Sequence, residues 1–162
     1  MMAKCKVLVI HGPNLNMLGK REPEIYGSTG LDDINKGMIE LGKKLGISVD
    51  TFQSNHEGAI VDKIQEAFQR YQGVIINPAA YTHTSIAIID ALLILKVPVI
   101  EIHLSNIYKR EPFRHKSMIA GVATATLGGF GHYGYYMALE AIARMVKLGG
   151  CRLSVISGRL SV

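Results

Sequence analysis

Glu101 and His103 stand two apart in an otherwise apolar run, and that spacing has chemical meaning. In an extended chain residues i and i+2 share a face, so the carboxylate can hold the imidazole in one tautomer and raise its basicity. The pair reads as an acid–base couple, since a Glu inside residues 97–102 needs a partner. A second constellation lies in LGKREPEIYGSTG, the Gly- and Pro-punctuated segment from Leu18 to Gly30, where Arg21 and Tyr26 sit five apart. A phenol of ordinary pKa near 10 is no base at neutral pH. A guanidinium about 4 Å away, at an effective dielectric near 20, contributes roughly 4 kcal/mol, or about three pKa units. A loop closing over a site could thus supply a tyrosinate. By composition alone the segment suits a solvated loop equally well.

Other candidates follow the apolar runs: HGPNLN from His11, QSN from Gln53, NPAAYTH from Asn77 and HLSN from His103. Turns account for Asn and Pro. Three His and several Asn converging on one sheet edge point further, to a binding site. Glu101, His103 and His83 also suit zinc by ligand type, which keeps a metal alternative open. GFGHYG from Gly129 matches a dinucleotide fingerprint, but it follows the last strand and no acidic residue occurs after Glu140 to hold a ribose. Close backbone packing is its expected use.

These residues need a scaffold. The 162 residues suit one domain, with 48% apolar and 19% charged side chains excluding a disordered chain. Eighteen basic against 13 acidic residues leave +5, an attraction for a small anion. Nucleic acid is not expected as a partner, because no Lys/Arg block exceeds two residues and aromatics are 7%. Cys5 and Cys151 alone cannot build a disulfide framework, so a reducing cytoplasm is expected. No membrane association is expected either: the apolar residues 7–10 are too few for a signal sequence, and residues 86–95 are interrupted by Asp90.

Short β-branched runs at residues 6–10, 47–52, 73–76, 97–102 and 122–126 alternate with helical patterns. Helices are expected at 31–45, 57–71, 84–95 and 135–148. The first carries Leu31, Ile34, Met38, Leu41 and Leu45 on one stripe, opened by Thr29 with Asp32 three later and closed by Gly46. The second repeats the stripe with Ile60, Ile64 and Phe68. The third is apolar nearly all round, so a neighbouring subunit is expected to cover part of it. The pattern predicts an α/β, single-domain, doubly wound flavodoxin-like fold with a five-stranded parallel sheet of order 2-1-3-4-5, ligands binding at the strands' carboxyl ends. Residues 1–148 form that domain and 149–162 a tail.

The chain resembles the type II 3-dehydroquinate dehydratases. The resemblance is carried by GPNLNMLGKREPEIYG from Gly12, QSNHEGAIVDKIQEA from Gln53, NPAAYTHTSIAIIDAL from Asn77, EIHLSNIYKREPFRHKS from Glu101 and GYYMALEA from Gly134. It implies a hydro-lyase without cofactor or metal, converting 3-dehydroquinate to 3-dehydroshikimate by anti elimination through an enolate. By the same resemblance Tyr26 is the base, Arg21 depresses its pKa and stabilises the transition state, and His103 protonates the departing hydroxyl. Glu101 orients His103, and Asn14 stabilises the enolate. Asn77, His83 and Arg114 bind substrate together with the backbone of Leu104 and Ser105. Asp90 reaches a neighbouring subunit's site in a homododecamer built from trimers. The sequence departs from the family's usual pattern at His11, where Asn or another polar residue is common, in TATLGG before Gly131, and in the tail. A lysine Schiff-base enzyme for the same substrate needs a barrel of about 250 residues, which this chain lacks. A zinc hydrolase and a non-catalytic small-anion-binding module are the competing readings.

Overall fold

Strand β1, KVLVIH at Lys6–His11, is the sheet's organising element in the computed structural model, which describes residues 5–20 and 29–149. It pairs in parallel on both sides, with β2 (Ser48–Gln53) and β3 (Gly73–Asn77). Strands β4 (Val99–His103) and β5 (Ala125–Gly128) extend the sheet, giving the expected order β2-β1-β3-β4-β5. Helices α1 (Leu31–Leu45), α2 (Glu57–Ala67), α3 (Ile86–Leu93) and α4 (Tyr133–Gly149) flank it.

Alternation along β1 divides the core in two. Val7 and Val9 face α1 and α4, joining Ile34, Met38, Leu139 and Ile142, while Leu8 and Ile10 face α2 and α3, joining Ile60, Ile64 and Ile88. All are essentially inaccessible, and each such Leu, Ile or Val contributes about 1.5–3 kcal/mol of apolar burial. The same parity sets the site. His11 and Asn77 continue the face of Val9 and Ile75, whereas Glu101 and His103 continue that of Val99.

Element ends depart from the sequence pattern for local reasons. Helix α1 begins from Gly30, whose N–H donates to Asp33 Oδ2 at 3.1 Å, one residue later than the Thr29/Asp32 box; Gly46 closes it in the left-handed region as expected. Helix α2 stops at Ala67 because Phe68 turns extended (ψ 125°) and Gln69 takes φ 59°. Phe68 therefore lies outside, 43% exposed, and Tyr71 tucks in instead, donating its hydroxyl to Asp50 at 2.7 Å. Helix α3 is capped by Ser85, whose hydroxyl accepts from the Ile88 N–H at 3.0 Å. Its ends leave Ile86, Leu93 and Ile94 exposed. Strand β5 starts late since the Val122 and Ala123 N–H groups fold back on the Ile119 carbonyl, and pairing begins only with Thr124 N–H to the Val99 carbonyl at 2.7 Å. No helix among the described residues is long and apolar enough to cross a membrane.

Candidate active site

The loops leaving β1, β3 and β4 line one cleft at the carboxyl edge of the sheet, where the strand order reverses. Asn14 and Leu15 come from the first loop, Asn77, Ala79 and His83 from the second, His103, Leu104 and Ser105 from the third, and Arg110 and Arg114 from the short helical turns beyond. The first two loops are locked together. The Gly12 N–H donates to the Asn77 carbonyl at 2.8 Å, and a Cβ on Gly12 would lie 2.4 Å from the Pro78 oxygen, so only glycine permits this approach. Asn14 adopts φ 67°, a left-handed conformation that Asn tolerates. Its N–H donates to Asn55 Oδ1 at 2.9 Å, and Gln53 reaches the same oxygen at 3.1 Å.

Glu101 is wholly buried behind the cleft wall. Three donors converge on its carboxylate: Thr82 Oγ1 at 3.1 Å, Ser117 Oγ at 2.8–2.9 Å and His103 Nε2 at 3.0 Å. Since the carboxylate only accepts, the imidazole donates through Nε2, and Nδ1 is the nitrogen not committed to Glu101. Ser117 is itself fixed by accepting from the Ile119 and Ala120 N–H groups at 3.2 and 2.9 Å. His83 Nδ1 donates to the Lys116 carbonyl at 2.7 Å, and Arg114 Nε to Glu111 at 3.0 Å. Two arginines beside two imidazoles suit an anionic ligand with hydroxyls. Among the described residues no three His, Cys, Asp or Glu side chains are grouped to hold a metal ion. The Gly-rich corner also serves this wall: Gly129 N–H reaches the His103 carbonyl at 3.3 Å and Gly131 N–H, with φ 57°, the Leu104 carbonyl at 2.9 Å.

On the sheet's other face His11 lies fully buried beside the cleft. Its Nε2 meets Asn35 Oδ1 at 2.8 Å and its Nδ1 meets the Tyr135 hydroxyl at 2.7 Å. Burial pushes the imidazole down to about 4, with the Asn35 bond opposing part of that shift. Burial likewise raises the Tyr135 phenol, opposed by the Asn77 side chain.

The family model for class II dehydroquinases matches residues 5–143. The chain belongs to this family. The 3-dehydroquinate dehydratase of Halothermothrix orenii is 54% identical over 144 residues, covering 89% of this chain and 97% of the relative. That of Geotalea daltonii is 56% identical, covering 88% and 99%. The crystal structure of type II dehydroquinase from Propionibacterium acnes superposes with a TM-score of 0.84 at 45% identity, covering 88% of this chain and 98% of that one.

As a class II dehydroquinase, the chain brings together most of the residues its sequence singled out. Asn14, Asn77, His83, His103, Leu104, Ser105 and Arg114 share the cleft, with Glu101 directly behind. Asp90 does not join them; it is exposed on α3 and does not line the cleft. Arg21 and Tyr26 lie outside the described residues, as does the tail beyond Gly149. Thr82, Ser117, Asn35, Tyr135 and Arg110 were missed. Ser117 lay within the quoted FRHKS stretch, and Thr82 within YTHT, so position in a motif was the available signal; Tyr135 had only its place after Gly134.

Proposed function

We propose that this chain is a hydro-lyase that removes water from 3-dehydroquinate to give 3-dehydroshikimate, a step toward chorismate and the aromatic amino acids in the cytoplasm. Tyr26, ionised beside Arg21, takes a C2 proton and the electron pair moves into the adjacent carbonyl as an enolate. Asn14 stabilises that oxyanion. The enolate then collapses, the C1–O bond breaks, a C1=C2 double bond forms, and His103 delivers the proton that makes the leaving group water. Glu101 holds His103 for this task; Asn77, His83, Arg114 and the Leu104–Ser105 backbone bind the substrate's hydroxyls and carboxylate. No cofactor takes part.

The observation that carries this reading is the buried Glu101, with its Thr82 and Ser117 hydroxyls, bonded to His103 on the wall of an arginine-bearing cleft. We also propose assembly into a homododecamer of trimers in which Asp90 reaches a neighbour's cleft. The exposed Ile86, Leu93 and Ile94 around it supply apolar surface for such a contact. Mixing the protein with 3-dehydroquinate and following the ultraviolet absorbance of the conjugated enone tests the reaction. Growth of the enone is expected, and borohydride added with substrate should leave the protein unmodified. No growth would favour an anion-binding module; covalent trapping would overturn the enolate route.

A further inference from the structure

Thr82 is wholly buried in the helical turn Ala79–His83 that follows β3, and it does not line the cleft. Its carbonyl accepts from the Met118 N–H at 2.9 Å, and its hydroxyl donates to Glu101 Oε1 at 3.1 Å. The next residue, His83, donates Nδ1–H to the Lys116 carbonyl at 2.7 Å. Residues 82–83 and 116–118 are thus laced together, with Ser117 in the middle of the lacing. The Ser117 oxygen already accepts from the Ile119 and Ala120 N–H groups, which leaves its proton for the carboxylate. It stands 2.9 Å from Glu101 Oε1 and 2.8 Å from Oε2. Oε1 also receives the His103 Nε2–H at 3.0 Å.

We propose that Thr82 is a positioning residue that, with Ser117, fixes the plane of the Glu101 carboxylate and hence the ring nitrogen through which His103 acts. The terminal torsion of a glutamate is broad and roughly two-fold, so packing along the stem does not by itself set that plane. Two hydroxyls arriving from different segments do. Ser117 straddles both oxygens and by itself leaves the carboxylate free to pivot about that contact; Thr82, bonded to the oxygen shared with His103, removes the pivot. With Oε1 fixed, the neutral imidazole keeps its proton on Nε2 and offers Nδ1 as an acceptor. His103 can then surrender a proton only from Nδ1 of the doubly protonated ring, its Nε2–H staying on Glu101 throughout. Neither hydroxyl lines the cleft; both act through Glu101 on His103, which does.

This inference rests on the reading of His103 as the proton donor, and its test separates the two. Thr82→Val keeps the shape and removes the hydroxyl; Thr82→Ser keeps the hydroxyl; Thr82→Ala removes it with less bulk and carries the same test if Thr82→Val does not fold. The first measurement needs no substrate: long-range ¹H–¹⁵N correlation of the imidazoles at a pH where the ring is neutral, the His103 signals being identified by their loss in His103→Ala. Parent His103 should show a ring protonated at Nε2 alone. Thr82→Val and Thr82→Ala should move its signals toward an average of the two tautomers, while Thr82→Ser stays close to the parent. The second measurement is steady-state kinetics with 3-dehydroquinate. Loss of a hydrogen bond to a charged group corresponds to about tenfold or more, so kcat should fall at least about tenfold in Thr82→Val and Thr82→Ala with KM within about threefold. Thr82→Ser should keep kcat within about threefold of the parent. An Nδ1-protonated ring in the parent, or unmoved His103 signals or a parental kcat in Thr82→Val or Thr82→Ala, would overturn the proposal. So would a Thr82→Ser as impaired as Thr82→Val. A parent protein with no turnover would refute the dehydratase reading alone, the tautomer signals still deciding on Thr82.

Discussion

His11 ties stability to pH through its burial. Its unfolded pKa is 6.5 and its folded value about 4. Between these values the unfolded chain binds a proton that the folded chain refuses, so stability falls as pH falls through the window and is fully present above it. The separation of about 2.5 units, at 1.36 kcal/mol each, amounts to about 3 kcal/mol. The perturbation is His11→Asn, which keeps an acceptor for Tyr135 and removes the titration. Urea unfolding of both proteins at one fixed concentration, in steps from pH 7.5 to 4, reads the difference. The parent's advantage over the variant should shrink by about 3 kcal/mol across the window, or roughly 1.5 M in urea midpoint at about 2 kcal/mol per molar. Asp50, held low chiefly by the Tyr71 hydroxyl, is common to both proteins and cancels. Midpoints running parallel from pH 7 to 4 would show that the ring is protonated as easily inside as outside, and the argument from burial would be wrong.

Three further outcomes are expected. Tyr26→Phe should lower turnover at least about a hundredfold while product affinity, measured by titration calorimetry, changes little; retention of most of the parental rate would remove Tyr26 as the base. Ser117→Ala deletes a hydroxyl that donates to both Glu101 oxygens, and bonds to charged groups are worth about 1.5–3 kcal/mol. A kcat at least about tenfold lower with little change in KM is expected, and an unchanged kcat would mean that Ser117 does not hold Glu101 for catalysis. Gly12→Ala forces a Cβ to within 2.4 Å of the Pro78 oxygen and should cost about 1–3 kcal/mol in urea unfolding; an unaltered midpoint would show that the two loops separate freely.

Much of this architecture was legible because it is written in short-range periodicity. The stripe of α1 and its Gly46 terminus, the five apolar runs and the i, i+2 pairing of Glu101 with His103 all depend on residues close in the chain. What escaped depends on distance. Ser117 and Thr82 reach Glu101 across 16 and 19 residues, and Tyr135 reaches His11 across 124, with no repeat to announce either contact. The boundaries that shifted were set by backbone turns: Phe68 sat correctly on the helical stripe of α2 but the chain left the helix one residue earlier, and Val122 looked like a strand residue while its N–H was taken by Ile119. His11 appeared as one more polar residue at a strand end, and only the packing of α1 and α4 over it explains its burial.

The placement of β1 and β3 at the middle of the sheet has a consequence for how the molecule comes apart. Both are sealed above and below and flanked on each side, whereas β2 and β5 have partly open edges. Backbone amides of these two strands should exchange with deuterium only through global unfolding, while those at the margins, β2 and β5, exchange through cheaper local openings. His11 and Asn77 are thus mounted on the part that lets go last, and fraying at the rim leaves their register untouched.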